Sequence, residues 1–408
     1  MNHINYIGPF NRTGYGIASC GYLYGLLKKA KLHNVPVSFI PIGNIDHNDK
    51  EMQRPEYGPI LDSLKIPPVW EEPTVCFWHL SHLSHYLNKA KGTKIGMTTF
   101  ETDVLLPNEI EAVKAVDYMV TACYHNSTVL NKYVLKETRI LPHSVGFDTY
   151  PPKIDLQDPI PLWERELDIN LSDTVIMSNI GKFEERKGQK QLLDALSRCY
   201  FKSLVVAFWY NPFIELGYPI RYFIENNWEP IPSKSGIRLF RKDKVTVAMM
   251  PSLPTREQVY SIAKNAHFYI STSKAEGWNL PLYDFMTFGM PCVTSYNTAM
   301  MDYGSLSALT FMHASELAND GQFFHGNRGM WMSINPDQLS KTLDNFVNNH
   351  SILTDPTLAA LKGGGAVGYT EVKNNANTLG WTSWSDIGRD LYTFVQEADY
   401  NTKQKNGR

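Results

Sequence analysis

Short apolar runs rich in β-branched and aromatic residues recur along the chain, and stretches with helical spacing separate them. In the first half such runs fall at Ile4–Ile7, Val35–Ile40, Thr74–Trp78, Lys94–Thr99, Tyr118–Thr121 and Arg139–Leu141, and each is predicted to be a strand. Leu23, Leu26, Leu27 and Ala30, after the first run, return at spacings of three and four and predict a helix. A second series begins at Thr174–Asn179 and continues through Ser203–Phe208, Val245–Met249, Phe268–Ser271 and Cys292–Ser295. Strands alternating with helices in this way build parallel sheets, so the pattern predicts an α/β fold.

Length divides the picture in two. At 408 residues the chain exceeds what one ordinary core holds, so two domains are expected. The proline-rich stretch Tyr150-Pro151-Pro152-Lys153, followed by Asp158-Pro159-Ile160-Pro161, separates the two strand series and reads as a linker. We therefore expect one domain over 1–160, a second over 161–380 and a terminal helical segment over 381–400. A content of 43% hydrophobic and 20% charged residues excludes a disordered chain. The net charge of −2 favours no nucleic-acid partner, although Arg238, Arg241, Lys242 and Lys244 form a local basic cluster, read as a solvated loop. Five scattered cysteines without a C-x-x-C pair fit a reducing compartment and give no zinc site. Neither a signal peptide nor an apolar run of membrane-spanning length is recognised, so a cytoplasmic protein is expected.

The chemistry concentrates between Ser271 and Pro291. A strand ends at Ser271, and a polar loop then carries Glu276 and Gly277. Asn279 is placed to cap a helix with Pro281 in its first turn, while Gly289 and Pro291 end that helix. The helix N-terminus thus opens at the carboxyl edge of a sheet, where ligands of open α/β sheets bind and where free N–H groups suit a phosphate. Upstream, Gly181-Lys182-Phe183-Glu184-Glu185-Arg186-Lys187-Gly188 follows the strand Thr174–Asn179 with three cations in a glycine-bounded turn. Thr13-Gly14-Tyr15-Gly16-Ile17-Ala18-Ser19 reads as a glycine-rich loop after the first strand. It lacks the third glycine and the short turn of a dinucleotide fingerprint, which sets aside an NAD-dependent oxidoreductase.

These segments resemble the retaining GT-B glycosyltransferases, the large family related to glycogen and sucrose synthases. Glu276 and, eight residues on, Asp284 match the two acids of that family's E-x7-E signature, with Asp284 one methylene shorter than the usual glutamate. The resemblance implies that Glu276 lies near the transferred sugar and that Asp284 binds the ribose hydroxyls. It also implies that Gly277, Trp278, Asn279 and Leu280 present backbone N–H groups to the sugar and phosphates. Lys182 and Lys187 match the two cations of the G-R-x4-K-G element that hold the donor diphosphate, lysine standing at the first where arginine is commoner; Arg186 is a substitute for that first cation. Gly14 and Gly16 match the family's phosphate-facing loop. Thr98 to Pro107 with Glu101, and Leu141 to Asp148 with His143, resemble acceptor-domain elements that make Glu101 and His143 candidates for the catalytic cleft. Trp381 to Trp384 and the helical stretch after them resemble the family's C-terminal helix, which crosses back to the N-terminal domain.

The implied fold is GT-B, two Rossmann-like domains with parallel sheets facing a central cleft. The implied activity is transfer of a sugar, with retention, from a nucleotide-sugar co-substrate, expected to be a UDP-sugar, to the hydroxyl of a glycan, lipid-linked sugar or small metabolite. No metal or other cofactor is expected, since there is no D-x-D pair and His79, His82 and His85 lack a carboxylate or cysteine at ligand spacing. Two alternatives stay open: transfer to a hydroxymethylated base in DNA, and a catalytically silent nucleotide-sugar-binding protein.

Overall fold

Each strand expected from the apolar runs forms, within two residues of its expected ends, in a computed structural model that describes residues 1–134, 138–148, 157–210, 217–233, 236–307, 309–318, 327–349, 383–405 and 407. Two compact units emerge. One comprises Met1–Pro151, Asn327–Gly329 and Trp381–Arg408, the other Pro152–Gly326 and Met330–Gly380. The Tyr150–Lys153 half of the expected linker lies outside the described residues, as do Trp381 and Thr382. Its second half is not linker: Pro159 and Pro161 open a helix, Ile160–Leu167, because a proline in the first turn loses no helical hydrogen bond.

The first unit is a six-stranded, wholly parallel sheet in the order β2-β1-β3-β4-β5-β6. Its strands are β1 (Ile4–Pro9), β2 (Val37–Ile42), β3 (Thr74–Phe77), β4 (Lys94–Thr98), β5 (Tyr118–Thr121) and β6 (Thr138–Ile140). Its helices before the terminal one are α1 (Gly14–Leu32), α2 (Gly58–Ser63), α3 (Leu83–Tyr86), α4 (Pro107–Lys114) and α5 (Tyr124–Tyr133). Successive strand residues point to opposite faces, and two cores result. Tyr6, Val75, Phe77 and Val120 pack with Leu23 and Leu26 of α1 and with Ile387 and Leu391 of the C-terminal helix, Trp384–Lys405. Ile7, Cys76 and Met119 pack on the other side with Leu83, Ala112, Val113 and Leu130.

The C-terminal helix lies so close to α1 that a Cβ on Gly25 would collide with the carbonyl of Trp384 and one on Gly388 with the backbone of Gly25. Asp148 pins the pair laterally, accepting hydrogen bonds from Tyr24 (2.7 Å) and Lys28 (2.5 Å) of α1 and from Ser385.

The second unit holds α6 (Ile160–Leu167) and an eight-stranded sheet in the order β14-β13-β12-β7-β8-β11-β10-β9. Its strands are β7 (Thr174–Ile180), β8 (Lys202–Phe208), β9 (Glu229–Ile231), β10 (Arg238–Lys242), β11 (Val245–Met249), β12 (Phe268–Ser271), β13 (Cys292–Ser295) and β14 (Leu309–Phe311). The pairs along β14 to β11 are parallel, whereas β10 runs antiparallel to both β11 and β9. Helices α7 (Gln189–Arg198), α8 (Gly217–Glu225), α9 (Arg256–Ala263), α10 (Leu280–Thr287), α11 (Met300–Ser307) and α12 (Pro336–Asn349) complete it, with a two-stranded ribbon of β15 (Ser315–Leu317) and β16 (Met330–Met332). Val175, Met177, Val205, Val247 and Ile270 meet Leu192, Leu196, Leu339 and Phe346 in its core.

The expected basic loop is in fact β10 and the tight turn into β11. Leu239 and Phe240 are buried between charged neighbours, Phe240 in the core, and Asp243 takes the turn with φ 53°. Lys242 and Lys244 place their ammonium groups on the carbonyls of Asn226 and Cys199. The helix crossing predicts its own weak point. Gly25→Val should shift the urea midpoint by the equivalent of about 1–3 kcal/mol or more, since backbone cannot yield as a side chain does. Ser385→Ala, which removes one exposed hydrogen bond, should cost under about 1 kcal/mol.

Candidate functional site

Each sheet has a topological switch point, where successive connections leave in opposite directions and the helix ends part to leave a crevice at the strands' carboxyl edge. In the second unit it falls between β7 and β12, the neighbours of opposite sense in the strand order. Two segments leave the sheet there: the turn Gly181–Gly188 after β7 and the loop Thr272–Asn279 after β12. They are clamped together. Thr272 donates its hydroxyl to the carbonyls of Lys187 (3.0 Å) and Gly188 (3.2 Å), and the amide of Lys274 donates to the carbonyl of Arg186 (2.7 Å). Gly188 has φ 66°, and a Cβ on it would strike the carbonyl of Thr272, so the junction needs glycine twice over.

At the centre stands Glu276, 5% exposed. One carboxylate oxygen accepts from Lys187 and from the Ser273 hydroxyl (2.6 Å), and the other from Arg186 (2.9 Å). Burial pushes this carboxyl upward, but Lys187 and Arg186 outweigh it and hold it at about 2, so Glu276 is an anion throughout the physiological range. Such an acid positions and stabilises positive charge; it is a poor proton acceptor near neutrality. Arg186 is held more firmly than Lys187, because it also donates to Glu184 (2.8 Å) and to the carbonyl of Ala275 (2.9 Å).

The loop after β13 braces this constellation. Thr298 accepts from the amide of Glu276 (2.8 Å), and Asn297 donates to the carbonyl of Ser273 (2.9 Å). Thr298 has φ 41°, a left-handed conformation that a β-branched residue pays for. Lys274, 3% exposed, points away from Glu276 and bridges Glu185 (2.6 Å) and Glu316 (2.7 Å), tying the cationic turn to β15.

Gly277, Trp278, Asn279 and Leu280 are all buried beside Glu276 at the start of α10. Asn279 precedes the helix as expected, but it does not cap it. Its φ is 75°, and its side chain donates to Ser271 (2.8 Å). Trp278 packs between Tyr283 and Tyr303, both ring centroids 4.9 Å away, and its carbonyl accepts from the Tyr303 hydroxyl. Lys182 lies half-buried in the same turn, where its carbonyl accepts from Gln189 (2.7 Å). The cation on Glu276 beside Lys187 is Arg186.

The two signature acids do not converge. Asp284 is fully buried, and one of its oxygens accepts from both Arg256 and Tyr260 of α9. Burial raises its pKa, and Arg256 and Tyr260 offset only part of that rise. The Arg256 guanidinium lies 5.2 Å from the centre of the Tyr260 ring. Asp284 therefore anchors α9 to α10 through that oxygen, its other oxygen being buried as well, and the sequence pattern missed Arg256 and Tyr260. Ser273, three residues before Glu276 in the same loop, was the one overlooked partner with a local signal.

In the first unit the switch point lies between β1 and β3. Gly14 and Gly16 stand there, but in the first turn of α1 rather than in a loop, with the Gly16 amide donating to the capping Thr13 hydroxyl (3.3 Å). Tyr15 donates to the carbonyl of Thr99 and packs on His79, ring centroids 4.3 Å apart. Glu101, half-buried after β4, adds its negative charge to the burial that raises the Tyr15 pKa. His143 is 3% exposed and packs among Tyr22, Phe77 and Trp384 beneath the C-terminal helix. Among the described residues no group of three His, Cys, Asp or Glu side chains could hold a metal ion, and no helix is long and apolar enough to cross a membrane.

No protein-family model matches the sequence, and no curated protein matches it. Its fold, however, is that of solved GT-B glycosyltransferases. Anabaena HepE in complex with UDP and glucose superposes with a TM-score of 0.57 at 11% identity, over 97% of this chain and 99% of that one. Sucrose-phosphate synthase from Thermosynechococcus elongatus gives 0.58 at 15%, and an E. coli trehalose-6-phosphate protein bound with UDP-2-fluoro glucose 0.58 at 13%, both over 97% of this chain and 99% of theirs.

The Asp284 pair makes a separable prediction. Arg256→Ala leaves a buried carboxylate without its counter-charge and should cost about 3–5 kcal/mol at pH 7. In that variant the Asp284 pKa rises further, so the neutral acid is the tolerated form. The loss should shrink at pH 5 and grow at pH 8, as urea unfolding at the two pH values would show.

Proposed function

We propose that this protein is a retaining glycosyltransferase that moves a sugar from a nucleotide-sugar donor, a UDP-sugar, to an acceptor hydroxyl. The observation that carries the reading is the Glu276–Lys187–Arg186 constellation at the β7/β12 switch point, beside the N-terminus of α10. A diphosphate needs positive charge and free N–H donors, and a reacting sugar needs a fixed anion near its ring; here both kinds of group lie within one hydrogen-bonded cluster. The fold is shared with proteins whose structures hold UDP, UDP-glucose or UDP-2-fluoro glucose, which is the basis for choosing uridine.

In the reaction, the anomeric C–O bond to the diphosphate breaks as the acceptor oxygen bonds to the same carbon from the same face. The departing phosphate oxygen takes the acceptor's proton, so no protein base is required. Lys187 neutralises charge that grows on the leaving diphosphate, which favours the transition state over the ground state, while Arg186 keeps Glu276 aimed. Glu276 steadies the developing positive charge on the sugar ring. Gly277 to Leu280 supply backbone donors, and Lys187 takes the place that a metal ion has elsewhere, which is the basis for proposing a metal-independent reaction. Gly14 and Gly16 are assigned to the donor phosphates and Glu101 to the reacting centre; the acceptor is a glycan, lipid-linked sugar or small metabolite.

Thermal denaturation with UDP, GDP, ADP, CDP and their sugar conjugates tests the donor. At a hundredfold excess over Kd, UDP should add about 2.7 kcal/mol, a few degrees in Tm, unchanged by EDTA and abolished in Lys187→Ala. No shift with any nucleotide would overturn the reading. A shift without release of UDP in the presence of any acceptor would leave a silent binding protein.

A further inference from the structure

Lys187 is assigned to the diphosphate, yet its ammonium is bonded to Glu276, the group assigned to the sugar. Both partners are nearly buried, at 17% and 7% side-chain exposure. A lysine so paired delivers little net charge to a ligand unless it changes partner. Arg186 is in a different position, with acceptors in Glu184, the Ala275 carbonyl and Glu276. Its planar fork is fixed on three sides, whereas lysine is a point charge on a four-carbon stem. The Lys187 stem passes over Gly181, its Cδ within 3.6 Å of where a Cβ would stand, so no side chain there obstructs its swing.

We propose that Glu276 is an internal competitor for the donor's diphosphate, and that donor binding proceeds by partner exchange in which Lys187 leaves Glu276 for the diphosphate and frees the carboxylate for the sugar. Resting on the donor-site reading above, this adds a coupling to it: the anion that stabilises the sugar is released only when a diphosphate takes its place. Arg186 stays on Glu276 and keeps the carboxylate aimed, held from behind by Ser273 and, through the main chain, by Thr298. A nucleoside without phosphates cannot draw Lys187 away, so it leaves Glu276 locked.

The strength of the competitor is legible in its geometry. Nearly buried, the Glu276 carboxylate takes hydrogen bonds from Lys187, Arg186 and Ser273, which hold its carboxyl well below the usual glutamate range although burial pushes it up. Lys187 supplies the largest share of that attraction. Removing the carboxylate should therefore improve diphosphate affinity at least tenfold while it abolishes transfer, two effects of opposite sign from one substitution.

Calorimetric titration of UDP and of inorganic pyrophosphate into the full chain tests this. The proteins compared are wild type, Glu276→Gln, Glu276→Asp, Lys187→Met and the Lys187→Met/Glu276→Gln double variant. Glu276→Asp guards against a folding defect, since it keeps the charge but shortens its reach to Lys187. We expect Glu276→Gln to bind both probes at least tenfold tighter than wild type, Glu276→Asp to lie between them, and the gain to vanish in the Lys187→Met background. If wild type binds and the folded Glu276 variants bind no tighter, partner exchange is wrong and the donor site stands. If neither probe binds any of the proteins, the donor site itself is wrong and this inference goes with it.

Discussion

Glu276 is an anion buried to 5% exposure, and the arrangement around it follows from what that costs. An uncompensated carboxylate in such a place is worth several kcal/mol against folding, so cations and donors have to come to it. Arg186 and Lys187 come from the turn after β7, Ser273 from its own loop, and Thr298 from the loop after β13. Three strand ends are thereby drawn together at one edge of the sheet. The glycine at 188, the left-handed Thr298 and the buried Lys274 with its two carboxylates are all local solutions to holding those three segments in register. A cluster assembled this way is already oriented and largely shielded from water.

The second acid shows the same physics with a different outcome. Asp284 is equally buried, but the cation that reaches it is Arg256 from α9, and the product is a helix–helix anchor. Two carboxylates eight positions apart in one motif have therefore parted in role. Tyr260 completes the anchor by packing edge-on against Phe285 and Phe288.

The two units reach similar sheets by unequal means. In the first, one long helix from each end of the described chain, α1 and Trp384–Lys405, covers a face by backbone-close packing through Gly25 and Gly388. In the second, the sheet is extended by antiparallel strands β10 and β9 beyond the parallel core. The edge strand β9 is three residues long and its neighbour β10 carries Arg238, Arg241 and Lys242, so both resemble loops until a partner strand supplies their hydrogen bonds.

What the sequence by itself determined is whatever depends on neighbours in the chain. Buried parallel strands need continuous apolar runs, so eleven of them were legible from Ile4 to Ser295. A strand–loop–helix edge needs its glycines, proline and acid at short fixed spacings, so Glu276 and the loop from Gly277 to Leu280 were legible together, whereas Lys187 was assigned only through the family resemblance. The tertiary structure decided whatever depends on partners distant in sequence. Arg256 meets Asp284 across 28 residues, Arg186 meets Glu276 across 90, and His143 meets Trp384 from the far end of the chain. The physical reason is the same in each case. Charge and aromatic area are compensated by whichever group the fold brings near, and local spacing carries no record of which group that will be.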